Sequence, residues 1–222
     1  LAAALADRLA GETLLRAAIF PHAVYTCRRE TLTRCAAFAR ERGTLLSTHA
    51  AETARENADC LAANGARVIP YLHTLGMLGP QTLLAHGVAL DEADMALLAE
   101  TGTAVAHCPK SNMKLASGIA PVHALRQAGV TVGLGTDGAA SNNALNLFSE
   151  MGTAALLQKV ASCDPTALNA SAALDMATRD GARALSWPEL GRLEVGCPAD
   201  LCALDLTRPQ LQPCFDPVSD AV

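Results

Sequence analysis

The sequence has no C-x-x-C pair, although it carries eight cysteines, at 27, 35, 60, 108, 163, 197, 202 and 214. Thiols scattered through 222 residues, a chain too large to need disulfide staples, read as reduced and mostly buried small apolar side chains, and a zinc-finger framework is excluded. Aromatic residues are only 3%, and no cluster of Lys and Arg is interleaved with them; with a net charge of -5 and a pI near 5.6, nucleic acid is disfavoured as a partner. No apolar run approaches the roughly 20 residues that span a bilayer, and no charged n-region precedes an apolar stretch. The expectation is a soluble, cytoplasmic protein without a membrane partner. No G-x-G-x-x-G follows a strand to open a helix and no G-x-x-x-x-G-K-[ST] occurs, so nucleotide phosphate binding has no support.

What is present is a globular composition, half apolar and 18% charged, with the hydrophobic share carried mainly by Ala and Leu. The chain opens on Leu1 in a helix-like LAAALADRLAG, which points to a sequence that begins inside a longer protein. Short apolar strands then alternate with helix-period segments. Strands are expected over 14–20 (LLRAAIF), 44–48, 82–85 (TLLA), 103–106 (TAVA) and 130–134 (VTVGL). Helices are expected over 30–42, 53–63, 70–78, 91–100, 122–128 and 143–160, with two more between 166 and 185. Alternation of this kind implies βαβ units and a parallel sheet. From Gly191 the texture changes to GRLEVGCPADLCALDL, with short β runs and Gly/Pro turns, so a separate small β element is expected beyond a boundary near 187–190. Five βα units do not close a barrel, which needs eight strands, so either the sheet is open or the chain is truncated.

A polar residue follows every expected strand. His22, His49, His86, His107 and Asp137 stand 27, 37, 21 and 30 residues apart, each interval about one βα repeat. The C-terminal edge of a parallel sheet is where βα loops gather chemistry on a rigid scaffold. Imidazoles with a carboxylate suit a catalytic zinc or iron, which needs nitrogen and oxygen donors and an open position for water. Taken singly, each residue has a plainer explanation: a strand-end His can be structural, Glu52 can be a first-turn acid favoured by the helix dipole, and Asp137 in GTDGAASNN can be an Asx-turn or N-cap. Their recurrence, one per repeat, favours a metal hydrolase site. His73 and His123 lie in helical segments away from strand ends and read as surface or packing residues.

PHAVYTC, THAAET, LLAHGVAL, AHCPKSNMKLASGIAPV, GLGTDGAASNNALNLFSEM and GRLEVGCPADLCALDL together resemble the amidohydrolase superfamily. The likeness is greatest to its 5-methylthioadenosine/S-adenosylhomocysteine deaminase and chlorohydrolase group and runs nearly end to end. SNMKLASG with GTDGAASNN is its most specific pair of signatures. The resemblance implies an α/β fold: the C-terminal portion, about five βα units, of a TIM-type (β/α)8 barrel over residues 1–188, and part of a small β-sandwich over 189–222. It implies that His49 and Asp137 are ligands of one divalent metal, zinc or alternatively iron, that Glu52 shuttles protons, that His86 sits beside the metal-bound water, and that His22 lies near the ribose of the substrate.

The departures from the family pattern concern the same chemistry. The first-strand H-x-H that supplies two further ligands is absent from these residues, as are the early barrel strands and both ends of the sandwich. Val24 stands where the family's PHxPY-type motif has Pro, and Cys197 where a polar residue is common; neither disturbs the chemistry.

The expected activity of the intact protein is hydrolytic deamination of a purine nucleoside. In it Glu52 protonates the ring nitrogen and relays a proton to the leaving ammonia, Asp137 accepts the proton of water, and His86 orients the nucleophile. The partners are then a small purine nucleoside and water; association into a homo-oligomer is left open. The rivals are another hydrolase of the same architecture, acting on guanine, cytosine or a triazine, and a chain inactive by itself because the H-x-H is missing.

Overall fold

The computed structural model describes residues 2–222. It opens with helix α1 (Ala2–Leu9), the two-residue strand β1 (Ala18–Ile19), α2 (Arg29–Arg42), β2 (Leu45–Ala50), α3 (Ala54–Asn64) and α4 (Val68–Thr74). The chain continues through β3 (Thr82–His86), α5 (Glu92–Thr101), β4 (Ala104–His107), α6 (Pro109–Lys114), α7 (Val122–Gln127) and β5 (Val132–Leu134). Helices α8 (Ala139–Asn142), α9 (Leu147–Ser162), α10 (Ala170–Ala177), α11 (Arg179–Ala184) and α12 (Pro217–Ala221) complete it.

The strands form one sheet in the order β1-β2-β3-β4-β5, and every pairing is parallel. Each strand therefore pairs with the next in sequence, the simplest result of repeated βα units with helical crossovers. The register sets Thr48 beside Leu84, His49 beside Ala85 and Ala50 beside His86, then Leu84 beside Val105 and Val105 beside Val132. Leu84, Val105 and Val132 are completely buried, packed with Leu32 of α2, Leu72 of α4, Leu98 of α5, Leu125 of α7 and Met176 of α10. In β2 burial alternates, with Leu46, Thr48 and Ala50 inside and Leu45, Ser47 and His49 half-buried on the other face.

Local signals place the helix ends. Thr53 caps α3 by accepting the Glu56 N–H (3.1 Å), and Gly65 ends it in the left-handed region. Asp91 and Asp94 close a capping box on α5, and the buried Asp94 carboxylate also takes Arg67 at 2.7 Å.

Three expectations are corrected. The strand expected over 14–20 pairs only at Ala18 and Ile19, while Leu14 and Leu15 are exposed, because its neighbour begins opposite Ala18. The helix expected over 143–160 begins only at Leu147, as α9, since Asn143 turns into positive φ (76°) and Asn146 caps the helix by accepting the Phe148 and Ser149 N–H groups. The short β runs expected after Gly191 are not formed among the described residues. Leu193, Val195 and Leu201 are exposed there, and a strand run needs a paired neighbour that none of the described residues offers it.

Candidate functional site

The C-terminal ends of β1, β2 and β3 bring three imidazoles together. The ring of His49 lies 4.7 Å from that of His22 and 5.3 Å from that of His86, nearly parallel to the latter at 23°. Strict alternation would turn His86 to the buried face with Leu84, away from His49. Instead His86 takes φ of 78° and Gly87 φ of 56°, a left-handed pair that re-aims the strand end and lets the two rings stack.

The hydrogen bonds settle which ring nitrogen is free. His49 Nδ1 bonds the backbone carbonyl of His22 at 2.8 Å, and a carbonyl only accepts, so Nδ1 carries the proton. His86 Nδ1–H likewise donates to Asn112 Oδ1 (2.8 Å). The Thr26 hydroxyl donates to the Ala23 carbonyl (3.3 Å) and accepts from His22 Nδ1 (2.8 Å). His49 thus holds its proton on Nδ1 and presents an Nε2 lone pair, and the partners of His86 and His22 accommodate the same tautomer, the arrangement of a ligating or proton-accepting imidazole.

Glu52 closes one side of this group. Its Oε2 lies 3.9 Å from His86 Nε2, and its Oε1 accepts the Ser117 hydroxyl at 3.1 Å. Asp137 comes from the loop after β5 in the left-handed region (φ 59°), where Oδ2 accepts Ser111 Oγ (2.6 Å) and Oδ1 accepts the Gly138 N–H (2.6 Å). Burial pushes its carboxyl up, but the bonds from Ser111, Gly138 and Ser141 and the nearby His86 outweigh this and hold it below the ordinary value. Asp137 is ready to stay ionised. Adjacent residues of α6, Ser111 and Asn112, therefore hold Asp137 and His86 respectively, and both are completely buried.

His107 does not join the group as a bonded member. It is fully buried, neither ring nitrogen has a partner, and burial, then the neighbouring His86, pushes its pKa down to about 3. His73 is exposed, and His123 bonds the Ala167 carbonyl and Gln127, so both are packing or surface residues.

His49, with Nε2 free, and an ionised Asp137 are of the donor types a zinc site uses. Among the described residues, however, no group of three or more His, Cys, Asp or Glu is gathered to hold a metal ion. These residues fit part of a metal site, and a four-coordinate ion needs further donors.

Several functional contacts escaped sequence reasoning. Ser111, Asn112 and Ser117 sit inside SNMKLASG, and only tertiary structure shows whom they hold. Pro109 at the first turn of α6 was a readable helix-start signal. Glu150 was also missed: completely buried on α9, it accepts Asn142 Nδ2 (2.9 Å) and the Lys110 N–H (3.2 Å), tying the 136–142 loop to the start of α6. A cleft of about 400 Å³ opens beside Glu52, lined by Tyr25, Glu56, Leu115 and Ser117. Another cavity, about 480 Å³ near Leu45, Gln81 and Trp187, lies at the N-terminal ends of the strands, away from the histidines.

Comparison with known proteins gives the family and the fold. The model of the amidohydrolase family matches residues 2–221. The chain is 57% identical over 205 residues to the 5-methylthioadenosine/S-adenosylhomocysteine deaminase of Nitratidesulfovibrio vulgaris (strain DP4), covering 92% of this chain and 46% of that protein. An adenosine deaminase from Xanthomonas campestris, crystallised with bound zinc, superposes with a TM-score of 0.97 at 41% identity, covering 99% of this chain and 50% of the other. The atrazine chlorohydrolase of Arthrobacter aurescens, complexed with zinc, gives 0.91 at 29% identity, covering 98% and 50%. The chain thus spans about half the length of the curated relatives it matches.

Proposed function

The chain belongs to the amidohydrolase family, and on that premise we propose that the protein hydrolytically deaminates a purine nucleoside of the 5-methylthioadenosine/S-adenosylhomocysteine type, releasing ammonia. The observation that carries this reading is the cluster of His22, His49 and His86, with Nδ1 of His49 donating to a backbone carbonyl and Glu52 beside His86. Support for the substrate class comes from relatives at 46–57% identity that bear this deaminase name.

In this reading Glu52 binds the purine edge and moves a proton to the ring nitrogen next to the attacked carbon, then to the departing amine, a general acid/base task. The Ser117 hydroxyl keeps its carboxylate in place. His86 Nε2 accepts a hydrogen bond from the attacking water and orients it, and ionised Asp137 takes up the water's proton. His22, near the outer rim of the cluster, contacts the ribose. His49 and Asp137 would hold one divalent cation, zinc before iron(II), which when bound supplies Lewis acidity to water. With only these two donors, the 222-residue chain by itself is inactive. Residues 189–222, which form no strand among the described residues, belong in this reading to a small β-sandwich completed only in the intact protein, distinct from the barrel part at 1–188.

A second reading is kept open by the chlorohydrolase likeness: the same edge could serve a triazine or another base such as guanine or cytosine. Ammonia release from methylthioadenosine, adenosylhomocysteine, adenosine and guanine by the full-length protein separates them. Turnover of the first two is expected; turnover of guanine alone, or dechlorination of a triazine without deamination, would overturn the proposal.

A further inference from the structure

Glu56 lies four residues beyond Glu52 and is used by no step above. It occupies the third position of α3, where an acid ordinarily completes a capping box by reaching back to the N-cap N–H. Its own N–H does bond the N-cap Thr53 Oγ1 (3.1 Å). Its carboxylate, however, passes over Thr53 and accepts the backbone N–H of Glu52 at 2.7 Å.

Two further facts separate Glu56 from an ordinary cap. A capping acid can stay in water, whereas Glu56 is 6% exposed and its Oε1 has no hydrogen-bond partner. Burying a carboxyl with an oxygen unpaired costs stability and is no requirement of helix capping. The bond also falls at a strained place: Ala51, just before Glu52, has φ of 50°. The turn from β2 into α3 thus combines a left-handed alanine, an anchored Glu52 amide and the Thr53 cap within three residues. Tyr25 of the β1–α2 loop, Glu52 and Cys60 are titratable groups near Glu56, Arg55 and Asp59 line the same cleft, and among the described residues no cation bonds it. Burial, the largest cause, and then the Glu52 charge together push its carboxyl up to about 7, against the backbone bonds that lower it.

We propose that Glu56 is a positioning residue for Glu52: by accepting the Glu52 N–H it holds the 50–53 turn so that the Glu52 carboxylate stays between Ser117 and His86. This rests on the assignment of Glu52 as the proton carrier, but its structural half is independent of activity. Truncation to Ala frees the Glu52 amide and lets its side chain leave Ser117. Glu56→Gln keeps an acceptor of the same length and restores the turn. Thr53→Ala removes the other cap bond and serves as the purely structural control.

The test compares the chain with Glu56→Ala, Glu56→Gln and Thr53→Ala by NMR, following amide exchange at Glu52 and the contact of its side chain with Ser117 through nuclear Overhauser effects. In Glu56→Ala, Glu52 amide exchange accelerates about 10-fold or more and the Glu52–Ser117 contact is lost, because local opening is no longer opposed. Glu56→Gln returns both towards the parent, and Thr53→Ala leaves the Glu52–Ser117 contact in place. An unchanged Glu52–Ser117 contact in Glu56→Ala, or the same loss in Thr53→Ala, would reduce Glu56 to a helix cap and overturn the proposal. In the full-length enzyme, Glu56→Ala is expected to lower kcat ~10-fold or more with KM little changed, and Gln to recover most of it. If the parent enzyme shows no deamination, the functional assignment fails while the NMR comparison still decides the role of Glu56.

Discussion

His86 and Val195 show opposite outcomes of similar sequence signals. Both stand in short apolar runs bounded by turn residues, LLAHG and LEVG. The first run is a strand between two parallel neighbours, and its terminal histidine is buried, bonded to Asn112 and stacked on His49. The second forms no strand, and Val195 is fully exposed among turns. Apolar alternation describes which surface a segment can bury, but a strand and its chemistry appear only where a neighbouring strand completes the ladder.

Perturbing each region in turn sharpens the contrast, and the largest effect is expected at the sheet edge. Glu52→Gln in the full-length enzyme should lower kcat for methylthioadenosine about 10²–10⁴-fold with little change in KM, since a general acid/base is removed and shape is kept. Steady-state ammonia release checks this. In the core behind that edge, Leu84→Ala should cost roughly 2–5 kcal/mol in denaturant unfolding, because a completely buried side chain is lost beneath β2 and β4.

Next comes pH. Glu56, with its folded pKa raised to about 7 from an ordinary 4.5, contributes stability that is fully present below the ordinary value and lost as pH rises through the folded one. Glu56→Gln should remove that decline, gaining on the parent by on the order of 1–2 kcal/mol at pH 8 and nothing at pH 4. Thermal unfolding across pH reads it. Asp137 has the opposite sign. Its carboxyl is held below the ordinary value, so its contribution is present above that value and lost as pH falls through the lowered one. Removing the Ser111 hydroxyl with Ser111→Ala should move that loss to higher pH, seen as a rise in the acid-unfolding midpoint. The smallest effect belongs to the tail, where Val195→Ser should change stability by no more than about 0.5 kcal/mol. A large loss there would mean that the tail is packed in solution, and the contrast would break.

Much of the fold could be read from the residues because each βα unit is local. The apolar runs at 44–48, 82–85 and 103–106 and the helices behind them depend on neighbours close in sequence, and the polar residue after each run marks the C-terminal edge of the sheet, where the proposed site lies. That His22, His49, His86 and Asp137 end strands at this edge was legible for that reason. The contacts that orient them were not. Ser117 reaches Glu52 across 65 residues and Ser111 reaches Asp137 across 26, and nothing in SNMKLASG states which strand end each hydroxyl will meet. His107 carried the same strand-end signal as His86, yet lies buried without a partner, since spacing fixes the position along the chain and not the direction in which a ring points. The failed expectation after Gly191 has the reverse cause, a pattern suited to pairing without its partner.

The central claim is that the strand-end imidazoles are preset with Nδ1 protonated and Nε2 free to bind or accept. Two-bond ¹H–¹⁵N correlation spectra of the histidine rings at neutral pH test it most directly. The account predicts the Nδ1–H tautomer for His22, His49 and His86, with His49 losing it when the β1–β2 contact to the His22 carbonyl is melted. Nε2–H rings at His49 and His86, the form common for free histidine, would contradict it.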